Sequence, residues 1–459
     1  MIERLVLFGA TGDLAGRYLL PALAALHAAE RLPEGFEVMG AAREEMDDAA
    51  FLRSARERLE QHAPAVPLAA RDAILRSLRY RPVNVADPDS VASVMEAGSG
   101  SVAAYLALPP GLFPAAVTAL ARVGLPPGSR IVLEKPFGED LESAIALNQL
   151  LTETAGPAGE QMIFRVDHVL GMATVQNLVT LRLANGFLDA VWNSKHVAQV
   201  EILWEETLAL EGRASYYDKA GALKDVVQNH MLQLLALIAM EPGAGSREPD
   251  LQDRKLEALR SVRQLTPTDV VRKTRRARYT AGRLATGEDV PSYVEEDGVE
   301  PERETETFAE VAVELDTARW AGTPFLLRAG KALSHSRRMA IVRFRPKPNR
   351  ATELRIDVDG PHDVSLQMVG GPPASPTALT LGATPPGSEL LAYGRVLFDV
   401  LNGGNGLSIS GEEAEEAWRV VTPVLNGWAS GVPLEEYPAG SAGPPAHANA
   451  FTPRGTTFG

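Results

Sequence analysis

Two histidines, a few carboxylates and two lysines hold most of the chemistry open to this sequence. Asp167 and His168 stand side by side in Arg165-Val166-Asp167-His168-Val169-Leu170-Gly171-Met172, a pair able to orient an imidazole and move a proton. His230 closes the run Asp225-Val226-Val227-Gln228-Asn229-His230. On the expected helix Gly221–Met240 it lies four residues after Val226 and four before Leu234, on an apolar face. A satisfied core histidine would sit the same way, but Gln228-Asn229 is unusual polar company for a buried face. A neutral imidazole there suits abstraction of a hydroxyl proton near pH 7. Asp225, five residues earlier, would lie roughly 140° round an α-helix and is not its natural partner. Lys135, in Glu134-Lys135-Pro136-Phe137-Gly138, follows an apolar strand and so stands where parallel sheets bind ligands. The Lys135-Pro136 bond is a candidate cis peptide.

The elements that must position these groups begin with Leu5-Val6-Leu7-Phe8, an apolar run typical of a strand buried on both faces. Gly9-Ala10-Thr11-Gly12-Asp13-Leu14-Ala15 follows, then a helical pattern through Leu19, Leu20, Leu23 and Leu26. Strand, glycine turn and helix bring backbone N–H groups onto a pyrophosphate, although G-x-x-G alone also fits any tight strand-to-helix turn. A second strand, residues 36–42, ends at Arg43, which suits a 2′-phosphate better than a free 2′-hydroxyl. With Thr11 it tilts the cofactor towards NADP. Helices around 47–61 and 69–78, a strand over 102–108 stopped by Pro109-Pro110, and the strand 130–133 complete an alternating pattern. The expectation is a doubly wound parallel Rossmann sheet over residues 1–165.

From 166 to 459 the texture changes to an α+β domain with a large, mostly antiparallel sheet. Strands are expected at 199–204, with Val200, Ile202 and Trp204 on one face, and at 308–315, 338–345 and 352–357. Residues 241–250 and 284–306 read as polar connections, and 430–459 as a Pro/Gly-rich tail. With 459 residues, 45% hydrophobic and 23% charged, the chain reads as an ordinary globular protein of two or three domains. It has no cysteine, so neither disulfides nor thiolate metal sites are open to it, and no metal is expected. A net charge of −14 disfavours nucleic acid and anionic membranes as partners. With neither a signal-peptide core nor a spanning apolar run in the sequence, a cytoplasmic location is expected.

Taken in order, Gly9–Ala15, Glu134–Gly138, Arg165–His168, Glu211-Gly212-Arg213, Asp225–His230 and Pro324-Phe325-Leu326-Leu327-Arg328-Ala329-Gly330-Lys331 resemble a glucose-6-phosphate dehydrogenase over nearly the whole chain. The resemblance implies oxidation of a sugar's anomeric C1–OH to a lactone with NADP or NAD, and homodimers or tetramers formed through the second domain's sheet. It implies His230 as general base, with Asp167 as its orienting carboxylate. It places the cofactor at Gly9, Thr11, Gly12, Asp13, Leu14, Arg43, Pro109 and Lys135. The sugar falls to Lys135, His168, Glu206, Asp225 and Lys331, with Val169 and Met172 at the positions that hold its phosphate.

At those last two the chain departs from the family's usual Asp-His-Tyr-Leu-Gly-Lys: Tyr has become Val169 and Lys has become Met172. The basic residue expected five after Lys331 is Ser336, and a lysine frequent near the first helix is Tyr18. Each charge-assisted hydrogen bond contributes about 1.5–3 kcal/mol, so losing two or three costs roughly 3–9 kcal/mol, at least about a hundredfold. The sequence alone therefore favours a hexose not phosphorylated at C6. The alternatives are an ordinary glucose-6-phosphate dehydrogenase in which Arg337 or Arg17 supplies the charge, and a non-catalytic partner subunit. Retention of Lys135, Asp167, Asp225 and His230 together speaks against the last.

Overall fold

A computed structural model describes residues 1–96, 100–210, 214–242, 248–347, 350–358, 364–371, 377–383 and 390–445. The motif Glu211-Gly212-Arg213 and the end of the Pro/Gly-rich tail lie outside them. The chain divides into two compact units. The first comprises Met1–Ala173, Arg247–Gln252 and Ser388–Glu415; the second comprises Thr174–Ser246, Asp253–Gly387 and Glu416–Gly459. The boundary expected at 165 thus falls at 173, and the first unit takes in a late segment that sequence reading had left in the second domain.

In the first unit, strands β1 (Arg4–Phe8), β2 (Glu37–Ala42), β3 (Leu78–Pro82), β4 (Val102–Leu106), β5 (Arg130–Glu134) and β6 (Ile163–Val166) pair in the order β6-β5-β4-β1-β2-β3. All these pairings are parallel, which is the doubly wound dinucleotide-binding order. β1, β4, β5 and β6 are buried at every residue, so their apolar runs, continuous but for polar residues near their ends, are what a sheet covered on both faces demands. A late strand, Ser408–Ile409, extends the sheet antiparallel to β6. Buried Arg165 is tied down there: its N–H donates to Ser408 Oγ (3.1 Å) and its guanidinium to Asn148 Oδ1 (2.8 Å) and Glu160.

The second unit is built on a nine-stranded sheet. Its order is Thr377–Ala383, Val364–Gly370, Arg350–Asp357, Arg337–Lys347, Val197–Glu205, Phe325–Gly330, Phe308–Val313, Thr274–Thr280 and Leu434–Pro438. Most pairings are antiparallel, with Val197–Glu205 parallel to Phe325–Gly330 and Leu434–Pro438 parallel to Thr274–Thr280. Register separates two faces. Val200, Ile202 and Trp204 share one with Val342, Ala340 and Arg338. The other carries paired charges: Arg343 reaches Glu201 and Glu353, Arg337 reaches Glu205, Arg328 reaches Glu310, and Arg355 reaches Glu353.

The single helix expected over Gly221–Met240 is instead three segments. A helix Ala214–Ala222 ends through Gly221 at φ 65°, a π-helix spans Leu223–Met231, and an α-helix spans Leu232–Ala239. Gly221 is required, since a Cβ would lie 2.4 Å from Glu306 Oε1, the atom that accepts the first N–H of the π-helix from Leu223 at 2.9 Å.

Candidate active site

The first unit carries the nucleotide side. Gly9 takes φ +83°, and a Cβ there would meet the Ala107 carbonyl at 2.1 Å, so only glycine allows β1 to turn against the end of β4. Gly12 N–H closes the turn onto Gly9 O at 3.0 Å. Leu14 is partly covered; Asp13 is exposed, 3.6 Å from Arg58, and Pro109, just past β4, is exposed too. At the end of β2, Arg43 is 92% exposed with a 3.4 Å approach to Glu44, whose carboxylate accepts from Thr11 Oγ1 at 2.8 Å. That hydrogen bond, more than Arg43, holds the Glu44 carboxyl below its usual range. A glycine cradle, a carboxylate fit for a ribose hydroxyl and an exposed guanidinium fit for a 2′-phosphate together suit NADP. Glu44 was missed from the sequence, though its place directly after Arg43 was the signal.

Lys135 directly follows β5, and the Lys135-Pro136 bond after it is cis. Asp167 is fully buried and caps the short helix His168–Gly171, accepting the Val169 N–H at 3.1 Å. His168 is partly exposed, and Tyr393 lies stacked on its ring, 5.6 Å between centroids at 13°. Tyr18 packs on Tyr393 in turn, at 5.3 Å. Tyr393 also hydrogen-bonds Glu134, which accepts from Tyr105 Oη at 2.5 Å. Burial pushes the Glu134 carboxyl up to about 7 against those two donors, and raises both phenols well above their ordinary value. Sequence reading quoted Glu134 without a role and did not reach Tyr393. Val169, expected at the phosphate position, is fully buried. Its apolar side chain is core, which corrects its assignment as a substrate contact. Met172 is partly exposed.

The second unit carries the sugar-side candidates. His230 is buried (4% exposed) on the π-helix, with its N–H on Asn229 Oδ1 at 2.7 Å. Because a π-helix closes i→i+5, Asp225 and His230 come nearer to one side than the α-helical estimate of roughly 140° allowed. The Trp204 indole stacks on the His230 ring, 5.1 Å between centroids at 27°. Glu206 is gripped by two cations: Lys331 Nζ at 2.6 Å and Arg338 Nη2 at 2.6 Å. Burial acts to raise the Glu206 carboxyl, but the two cations outweigh it and hold it below the usual range. Lys331 lies over Tyr217 and Arg338 over Trp204, each 5.2 Å from the ring centroid.

Of the two arginines at the start of the strand Arg337–Lys347, sequence reading named the first, whose side chain lies on the charged face. Arg337 is bound to Glu205 at 2.6 Å on the charged face; Arg338, one residue on, points to the face of Trp204 and His230. Period-two parity, counted from the apolar Ala340 and Val342, was the signal. Arg17 is engaged over Tyr18, 5.5 Å from its centroid.

These arrangements match known proteins along the whole chain. Residues 6–177 match the family model "Glucose-6-phosphate dehydrogenase, NAD binding domain", and residues 179–458 match "Glucose-6-phosphate dehydrogenase, C-terminal domain". A glucose-6-phosphate 1-dehydrogenase of Gluconobacter oxydans is 35% identical over 99% of this chain and 96% of its own length. One of Treponema pallidum is 36% identical over 96% and 92%. Among solved structures, a glucose-6-phosphate 1-dehydrogenase from Mycobacterium avium superposes with a TM-score of 0.85 at 33% identity, covering 96% of this chain and 95% of that one. A glucose-6-phosphate dehydrogenase in complex with its substrate glucose 6-phosphate does so at 0.87 and 27% identity, covering 96% of each chain. These relatives do not support the hexose unphosphorylated at C6 that Val169 and Met172 had suggested. The chain belongs to the glucose-6-phosphate dehydrogenase family and is an NAD(P)-dependent sugar dehydrogenase.

Proposed function

We propose that this chain is a glucose-6-phosphate 1-dehydrogenase with a rearranged phosphate grip. The observation that carries the reading is sequence identity of 35–36% over nearly the full length to proteins named for that activity. A physical feature supports it. Lys331 and Arg338 bring two positive charges to the single carboxylate of Glu206, leaving a net positive spot despite the −14 of the whole chain. Arg338 and Lys331 supply charge that Val169 and Met172 do not.

His230 takes the proton of the anomeric hydroxyl as the C1–H hydride departs, leaving C1 as the lactone carbonyl. NADP, when bound, supplies the hydride acceptor. Asp167 is the carboxylate of this reaction and Lys135 a cation for its ligands, while Glu206 and Asp225 hold sugar hydroxyls. The enzyme works as a homo-oligomer formed through the charged face of the second unit's sheet.

The test is a substrate panel of glucose 6-phosphate, glucose, glucosamine and 6-deoxyglucose, followed by NADPH absorbance. Glucose 6-phosphate should exceed every neutral sugar in kcat/KM by at least about a hundredfold, the value of roughly two charge-assisted bonds. A neutral sugar turned over better would reject the phosphate reading and restore the one drawn from Val169 and Met172.

A further inference from the structure

An imidazole used as a base must present one nitrogen along one direction. Its χ2 torsion is broad and roughly two-fold, so rotamer preference alone does not fix the ring plane. The backbone of His230 is placed by its π-helix, but the orientation of its ring must come from neighbours. One neighbour is flat, buried and close: the Trp204 indole, 6% exposed, at 5.1 Å and 27°.

Trp204 is itself held. It sits near the end of Val197–Glu205, flanked on both sides by hydrogen-bonded strands. Its cross-strand partner is Arg338, whose guanidinium lies 5.2 Å from the indole centroid. Arg338 is fixed in turn by Glu206 at 2.6 Å, and Glu206 by Lys331. An unbroken series of contacts, all within the second unit, therefore runs from the imidazole through Trp204 and Arg338 to the Glu206–Lys331 pair.

We infer that Trp204 is a positioning residue for His230, its aromatic face setting the imidazole plane, with Arg338 steadying the indole. The inference rests on His230 being the base. A shape-filling role would be met by any large apolar side chain, whereas orientation by stacking requires a ring.

Three variants separate these roles: Trp204→Phe, which keeps a ring, and Trp204→Met and Trp204→Leu, which keep bulk without one. Trp204→Phe should retain kcat within about threefold. Trp204→Met and Trp204→Leu should lose roughly tenfold to a hundredfold in kcat, the cost of a misplaced reacting group, with NADP affinity unchanged. A spectroscopic arm reads the stacking without catalysis. The ring Cε1–H of His230, labelled with ¹³C-histidine and assigned by its absence in His230→Asn, should be shifted upfield by the indole. The shift should shrink in Trp204→Phe and vanish in Trp204→Met. Full kcat in Trp204→Met, or equal loss in the Phe and Met variants, would overturn the positioning role. Should Trp204→Met fail to fold, the same two outcomes are read from Trp204→Leu. Unchanged kcat in His230→Asn would overturn the base assignment and the positioning role together, even with the upfield shift present.

Discussion

At the scale of single residues, the groups that could be read from the sequence were those in contiguous motifs. Lys135, Asp167 and His230 stand in runs that state their own context, such as a strand end or polar company on an apolar helix face. His230→Asn should leave cofactor binding intact and lower kcat by the roughly 10²–10⁴ of a lost general base, measured by steady-state kinetics beside NADP titration. Arg43→Ala should weaken NADP far more than NAD, since Thr11 and Glu44 remain for the ribose; equal losses would show that Arg43 meets no 2′-phosphate. Glu134 gives a stability prediction. Its carboxyl stands at about 7 when folded against an ordinary 4.5, so between those values the folded state keeps a proton that the unfolded chain releases. Its contribution to stability is therefore greatest below 4.5, falls as pH rises to 7, and levels off above that. Glu134→Gln keeps an acceptor for Tyr105, and should flatten part of this fall and be the more stable protein at pH 8 in denaturant titrations. Buried Glu306, also raised to about 7, adds a slope of the same sign. Tyr393 was not legible, because it acquires meaning only from partners distant in sequence, His168 and Glu134, whereas strand parity alone separates Arg338 from Arg337.

At the scale of elements, buried strands announced themselves by continuous apolar runs, and the helices near 48–62 and 68–77 by their periodicity. β3, reading Leu-Arg-Tyr-Arg-Pro, was hidden, because an edge strand needs only alternate residues buried. Ser408–Ile409 was too short to have a pattern. The π-helix was invisible for a different reason: apolar spacing reports which face is buried, not whether hydrogen bonds close at i+4 or i+5. Gly221 marks its start. Gly221→Ala combines φ 65° with a Cβ 2.4 Å from a buried carboxylate oxygen, so it should cost about 1–3 kcal/mol. A lowered melting temperature checks this. A variant as stable as the parent would mean that Glu306 moves aside at no cost.

At the scale of the whole molecule, composition had indicated a large globular chain and the motif order had indicated its family. Neither revealed that the first unit is finished by residues 388–415. The charged face of the second sheet carries Glu201, Glu205, Glu310 and Glu353 in ion pairs with Arg328, Arg337, Arg343 and Arg355. In the proposed oligomer, copies meeting through this ion-paired face oppose each other mainly through their net charge of −14. Light scattering should therefore find a multiple of 49.2 kDa, with association tightening as salt shortens the Debye length from about 30 Å at 0.01 M to about 10 Å at 0.1 M. Loosening with salt would point to ion pairs between copies as the main attraction. The late completion of the first sheet also sets a timetable for the nascent chain. When the ribosome has made β6, the strand that will cover its outer edge is still some 240 residues away. At about 5–20 residues per second that is a wait of roughly 12–50 s, with an open edge and a buried-to-be Arg165 in water. The newborn nucleotide-binding half is thus a natural client for chaperones, and the end of translation, rather than its first third, is when it can close.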